Sequence, residues 1–230
     1  MIDFTKVKSI TIPEGNVRKI TSNGVVVWEK ATSRLPSEYQ EVEYISTPND
    51  SYINTGWIPQ LGCTFFIKLS VVSTGYAFGS SSYPRLAVNV NAARMDFYNP
   101  SNGNAGIRKY DIAIGEIVDV EAYVDTTYCK NCYVICNGTE APANTPDTTE
   151  KITGSFTLPM LLGAWYYSES SIRQGNIKLY YSKAIEGGVV KFELIPCYRK
   201  SDGVIGMYDL VSKTLFTNAG TGSFTKGADV

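Results

Sequence analysis

The feature that most constrains this chain is the spacing of its apolar side chains. They alternate with period two between closely spaced turn signals, and long helical periodicity is absent. A strand points successive side chains to opposite faces, so alternation is what a half-buried sheet requires. The stretch 151–181 shows the pattern. Ile152, Phe156 and Leu158 precede the run Met160-Leu161-Leu162-Gly163-Ala164-Trp165, and Ile177-Lys178-Leu179-Tyr180-Tyr181 follows. Aromatic and β-branched segments broken by Gly, Asn and Pro predict an all-β antiparallel sandwich. Only a short window around 183–187 admits a helix.

Composition then narrows the chemistry. The 230 residues are 43% hydrophobic, enough for one large core with an appendage. Twenty-one basic residues against 22 acidic ones leave a net charge of −1, which predicts no nucleic-acid partner and no attraction to anionic membrane. The chain has no His, which removes Ser-His-Asp and Cys-His catalysis and the commonest metal ligand. Its five Cys are odd in number and too sparse for a disulfide scaffold, so free thiols made in a reducing cytosol are expected. Met1-Ile2-Asp3-Phe4-Thr5-Lys6 lacks a basic segment leading into an apolar one, and no apolar run approaches the roughly 18 residues that span a bilayer. Export and membrane insertion are therefore not expected, and neither is a cofactor.

Residues 1–30 read as a separate β-meander. Val7–Ile12 and Val17–Thr21 are expected strands flanking a turn at Pro13-Glu14-Gly15-Asn16. Asn23-Gly24 is the favoured pair of a tight hairpin and leads into Val25-Val26-Val27-Trp28. Three short strands bury too little surface to stand alone. The meander must lean on the main domain as an edge, or dock onto copies of itself or another protein through apolar residues such as Ile10, Ile12, Ile20, Val26 and Trp28. A polar linker over 31–36 and a main domain over 37–230 complete the expected organisation.

Within the main domain, two strands are expected in Glu38–Trp57 about a turn at Thr47-Pro48-Asn49-Asp50. Others are expected near Thr64–Val72, Arg85–Asn91, Ala93–Tyr98, Glu116–Asp125 and Cys132–Cys136, the last closing on an Asn137-Gly138 turn. Thr139–Thr149 is the longest polar loop. Val204–Leu210 and Thr214–Thr217 read as a hairpin, and Gly220 and Gly222 are expected to supply permissive backbone where the chain turns back.

The most specific motifs lie near the two ends of the main domain. They are Phe192-Glu193-Leu194-Ile195-Pro196-Cys197-Tyr198-Arg199-Lys200, then Gly206-Met207-Tyr208-Asp209, then Thr217-Asn218-Ala219-Gly220-Thr221-Gly222-Ser223-Phe224. With Leu35-Pro36-Ser37-Glu38-Tyr39-Gln40-Glu41-Val42-Glu43-Tyr44-Ile45 and Tyr52-Ile53-Asn54-Thr55-Gly56, this pattern resembles concanavalin A-like (laminin-G-like) jelly-roll proteins. Such proteins are common among the structural proteins of tailed bacteriophages and prophages of gut Firmicutes. The resemblance covers about residues 35–227, and the meander ending in Thr21–Glu29 looks like segments that open other phage virion proteins. It implies an antiparallel jelly roll and a place on the virion surface after assembly in the host cytoplasm, as a capsid decoration, head fibre or tail appendage. It also implies contact with other virion proteins and a homo-oligomeric state. The same sandwich hosts lectins, glycosidases and inert modules, so role does not follow from fold.

Three constellations could carry chemistry. In Glu116-Ile117-Val118-Asp119-Val120-Glu121, period two puts Asp119 and Glu121 on one face and Glu116 on the other, while Val118, Val120, Ala122 and Val124 make an apolar face. A retaining glycosidase needs two carboxyls about 5–5.5 Å apart. The spacing departs from the jelly-roll glycosidase pattern, and a solvated strand face is the reading adopted. Cys129, Cys132 and Cys136 lack the paired ligand units of a structural zinc site and read as buried or half-buried thiols. Gly222–Gly227 lacks the lysine of a phosphate loop.

Aromatic residues remain as ligand contacts. Trp165-Tyr166-Tyr167 precedes a polar loop, 168–175, that contains Arg173; Tyr76, Phe78 and Tyr83 flank Gly79-Ser80-Ser81-Ser82. Exposed rings stack on the C–H faces of sugars, so Trp165, Tyr166, Tyr167, Arg173 and Tyr83 are the candidate contacts for a host surface glycan. Core packing is the competing role for each ring. The sequence thus predicts a non-enzymatic virion surface protein. A jelly-roll glycoside hydrolase or lyase using Asp119 and Glu121, and a bacterial surface lectin or adhesin, are the alternatives.

Overall fold

The computed structural model describes residues 19–22, 25–29, 34–48, 50–73, 75–80, 88–89, 93–96, 107–110, 112–141, 151–152, 155–168 and 170–230. The expected strand Val7–Ile12, residues Ile10 and Ile12, the Asn23-Gly24 turn, Tyr83 and most of the 139–149 loop lie outside them. The chain divides into two compact units, Met1–Arg34 and Leu35–Val230.

In the first unit, β1 (Lys19–Ser22) pairs antiparallel with β2 (Val25–Glu29). Ile20 stands opposite Trp28 and Thr21 opposite Val26, with a register shift after Ile20. Two strands of this length make a ribbon that is marginal in water without further partners.

The second unit is all-β and antiparallel; among the described residues the only helical turn is Cys129–Asn131. Its first strands are β3 (Tyr39–Glu41), β4 (Ile45–Ser46), β5 (Ile53–Asn54), β6 (Cys63–Val71) and β7 (Phe78–Gly79). Next come β8 (Val88–Asn89), β9 (Ala93–Asp96), β10 (Ile107–Tyr110), β11 (Ile117–Tyr123), β12 (Tyr133–Cys136) and β13 (Thr139–Glu140). They are followed by β14 (Leu161–Leu162), β15 (Ala164–Ser168), β16 (Ser171–Gln174), β17 (Ile177–Glu186) and β18 (Val189–Arg199). The last are β19 (Ile205–Asp209), β20 (Leu215–Phe216) and β21 (Thr225–Lys226).

An 11-stranded sheet runs β13-β12-β11-β6-β17-β18-β19-β20, with β3 added to β18 and with β4 and β21 added beside β17. Smaller sheets are β5-β14-β7, β8-β9-β10 and the β15-β16 hairpin. Alternation does what it predicts. Cys63, Phe65, Ile67, Leu69 and Val71 on β6 are buried, as are Val118, Val120 and Ala122 on β11 and Val134 and Cys136 on β12. They share one core with Ile53, Phe78 and Leu162 from the β5-β14-β7 sheet, the arrangement of a β-sandwich. A second, smaller cluster of Leu35, Ile195, Cys197 and Tyr208 lies on the other face of β18. Leu35, inside the stretch read from sequence as linker, is one of its buried members.

Several expectations are corrected. The window around 183–187 is no helix. Lys183–Glu186 continues β17, because β6 and β18 pair with it on both sides and supply the ladder hydrogen bonds. Ser171–Gln174, read as loop, is strand β16, held by its ladder to β15. Glu38–Trp57 carries three short strands where two were expected. Gly220 is needed for a different reason from the one expected. Its φ is not positive; instead, a Cβ there would collide with the Asp50 carbonyl oxygen. By contrast, Asn137 and Gly138 turn with φ of 49° and 79°, the left-handed pair that such a hairpin requires.

Candidate functional site

The best-built candidate surface is the β15–β16 hairpin. Trp165 stands directly across from Arg173, and Tyr166 from Ile172, while the register shifts between Tyr166 and Ser168. That shift leaves Tyr167 as an extra residue on β15, and an extra residue re-aims its side chain. Trp165, Tyr167 and Arg173 consequently gather. The Arg173 guanidinium carbon sits 3.9 Å from the centre of the Tyr167 ring, and Tyr167 meets Trp165 edge-on with centroids 5.8 Å apart. Beneath, Trp165 stacks on Tyr76 at 4.8 Å.

The hairpin is tied down at its base. Gly163 N–H donates to the Ala77 carbonyl and Gly175 N–H to the Gly163 carbonyl. The buried Thr47 hydroxyl donates to the Gly175 carbonyl at 3.2 Å and accepts from Ile177 N–H at 3.3 Å. Asp50 N–H donates to the Gln174 side chain at 2.9 Å.

Burial sorts the candidate contacts. Tyr167 is 51% exposed and Arg173 is exposed. Trp165 is 2% exposed, which corrects its expected role: its ring supports Tyr167 and cannot itself offer a face to a sugar. Tyr166 is half-buried; burial and, secondarily, the neighbouring Tyr52 push its phenol pKa upward. Tyr83 lies outside the described residues. Tyr76, which the sequence grouped with a different loop, joins the ladder through the Trp165 stack, and no local signal could have shown that pairing.

The carboxylates of β11 lie where alternation placed them, on the face away from the core. Asp119 approaches Lys68 at 3.6 Å, with its side chain 66% exposed, an ion pair of little energetic weight. Glu121 accepts a 2.7 Å hydrogen bond from the Tyr133 hydroxyl. Burial and that bond to the carboxylate raise the Tyr133 phenol pKa to about 12. Both carboxylates border an open depression of about 260 Å³, which Phe66, Ile135 and Tyr181 also line. The arrangement is a solvated strand face, as the sequence predicts.

Among the described residues no three Cys, Asp or Glu side chains are grouped as a metal site requires, and no helix is long and apolar enough to cross a membrane. Cys63, Cys132, Cys136 and Cys197 are free and buried. Burial pushes the Cys63 and Cys197 thiols up to about 12 and Cys136 up to about 11. The thiolate is the reactive form, so these thiols are inert near neutrality. Iodoacetamide at pH 8 should label these four positions only after unfolding, as read by peptide mass spectrometry. Labelling of Cys63 or Cys197 in the folded protein would contradict the packing described.

Two polar side chains elsewhere, the Asp125 carboxylate and the Asn218 amide, are structural. Asp125 carries a desolvation cost that raises its pKa, and hydrogen bonds from Tyr128 N–H, Thr127 N–H and the Asn131 side chain outweigh it, so the net shift is downward. Asn218 spends its amide on the fold: its oxygen accepts from Tyr52 and Gly220 N–H, and its nitrogen donates to the Gly220 and Gly222 carbonyls.

No protein-family model matches the sequence, and no curated protein matches it.

Proposed function

We propose that this chain is a non-enzymatic structural protein of a tailed-phage particle. Its N-terminal unit attaches it to the particle, and a concanavalin A-like jelly roll faces outward from the virion surface. The division into a small unit, Met1–Arg34, and a large unit with its own core, Leu35–Val230, carries this reading. A ribbon of β1 and β2 is too small to be stable by itself, and a segment of that kind gains its stability from a partner. Ile20, Val26 and Trp28 on that ribbon are the attachment residues. The resemblance of residues 35–227 to virion jelly rolls, noted from their motifs, supplies the particle. Support for the jelly roll comes from the strand order: β6 sits between β11 and β17, and β18 between β17 and β19, so the sheet is assembled by long crossovers as well as hairpins.

The outward hairpin bearing Tyr167 and Arg173 is the glycan-contacting surface. A decoration, a fibre or a tail appendage each repeats the chain many times on one particle, so weak contacts multiply by avidity. The partners are therefore other virion proteins, further copies of this chain, and a host surface glycan.

Truncation tests the attachment. The full chain, expressed in cells producing the parent particles, should co-sediment with them, whereas residues 35–230 alone should fall to a tenth or less of that occupancy. The truncated chain should keep its own cooperative thermal transition. Full occupancy by the truncated chain would end the attachment reading.

A further inference from the structure

We propose that the Tyr167–Arg173 pair binds the anionic group of a glycan, a carboxylate or a phosphodiester, in place of a neutral sugar ring. The inference rests on the hairpin being the glycan-contacting surface and names the chemistry that surface takes.

A neutral pyranose needs an open aromatic face. Here the Arg173 guanidinium covers one side of the Tyr167 ring at 3.9 Å, and Trp165 meets that ring at an interplanar angle of 80°. One face of the ring is therefore taken up in positioning a cation. A guanidinium laid near an aromatic ring keeps its N–H donors, a fork that matches a carboxylate or phosphate in bidentate fashion. Among the described residues no carboxylate lies within ion-pair distance of Arg173, whereas the sandwich's other arginine with a described contact, Arg199, is held by Asp202 at 2.6 Å. Arg173 is exposed, so its charge is available to an incoming ligand.

The support beneath it is stiff. Tyr76 and Trp165 stack below Tyr167, and Gly75 and Gly175 leave no room for side chains where the two segments cross. Arg173 therefore loses little side-chain entropy on binding, since the ring has already ordered it. The Ser168 and Ser170 hydroxyls, 3.4 Å apart and exposed near the hairpin turn, add donors and acceptors for the sugar hydroxyls around the anion. A chain of net charge −1 gathers no anions by its overall field, so the selectivity must be local.

Titration calorimetry on the full chain with three oligosaccharides tests this: an oligogalacturonate, a glycerol-phosphate oligomer and a neutral galactan of equal length. At least one of the two anionic oligomers should bind, and the neutral one should not; which anion wins separates uronate from phosphodiester. Arg173→Gln should weaken binding about tenfold to a hundredfold, the range for losing a charge-assisted hydrogen bond. Arg173→Lys, which keeps the charge and loses the planar fork, should recover only part of it. Neither should move the thermal transition, because the side chain is exposed. Binding of the neutral galactan that Arg173→Gln leaves unchanged would overturn this inference and leave the glycan surface standing. Full affinity in Arg173→Lys would overturn the bidentate fork. Binding of none of the three would overturn both this inference and the glycan surface, while particle attachment stands or falls separately on the truncation.

Discussion

Asp209→Ala is expected to destabilise the 35–230 unit by about 3–5 kcal/mol, the large end of single-residue effects. Asp209 is 2% exposed and stands at the end of β19. Its Oδ1 accepts from Glu193 N–H at 2.8 Å and Val211 N–H at 3.1 Å, and its Oδ2 accepts from Ser212 N–H at 3.0 Å. One side chain thus closes the 209–214 turn and pins that turn to β18. Each hydrogen bond to a charged group contributes roughly 1.5–3 kcal/mol, and truncation strands three backbone donors at once. Water reaches part of the turn, which keeps the loss below the simple sum. Asp209→Asn should recover less than half, because its amide nitrogen would face an N–H donor. Urea unfolding measures the change, and a loss below about 1 kcal/mol would show that solvent satisfies those amides.

Phe65→Ala should cost a similar amount, about 3–5 kcal/mol, by a different route. Phe65, the third residue of β6, is fully buried, with Phe78 at 4.8 Å and Phe192 at 6.3 Å between ring centroids. Its register partners are Ala122 on β11 and Ala184 on β17. Two alanines make room for the ring and cannot swell to fill the space it leaves, so the cavity persists and its lining loses contacts outright. Phe65→Leu should lose less than half as much. In a unit of this size each kcal/mol lowers the thermal midpoint by roughly 2–4 °C, so calorimetry resolves the series. A Phe65→Ala midpoint within about 2 °C of the parent would mean that the core relaxes around the cavity.

These residues differ in how far the sequence reveals them. Phe65 was readable: it falls on the apolar phase of an alternating run, and alternation by itself assigns the face. The same holds for Val118, Val120 and Ala122, and hence for the solvated position of Asp119 and Glu121. Asp209 was visible only as part of a motif. That its carboxylate reaches Glu193 on a neighbouring strand depends on β18 and β19 lying side by side. The candidate site divides in the same way. Trp165, Tyr167 and Arg173 share a strand and a short return, so their grouping is nearly local; the burial of Trp165 comes from Tyr76, about ninety positions earlier.

What the sequence determined alone is the class of structure and the phase of each strand. Side-chain direction in a strand has period two whatever the strand's neighbours, and turns such as Asn137-Gly138 depend on the φ values that their own residues tolerate. Tertiary structure decided which strands adjoin, which aromatic rings are buried, and why Gly220 must be glycine. Those outcomes arise from pairing between segments far apart in the chain. In such pairing a polar stretch like Ser171–Gln174 becomes a strand because β15 supplies its hydrogen bonds, and an apolar ring becomes a support because another ring covers it.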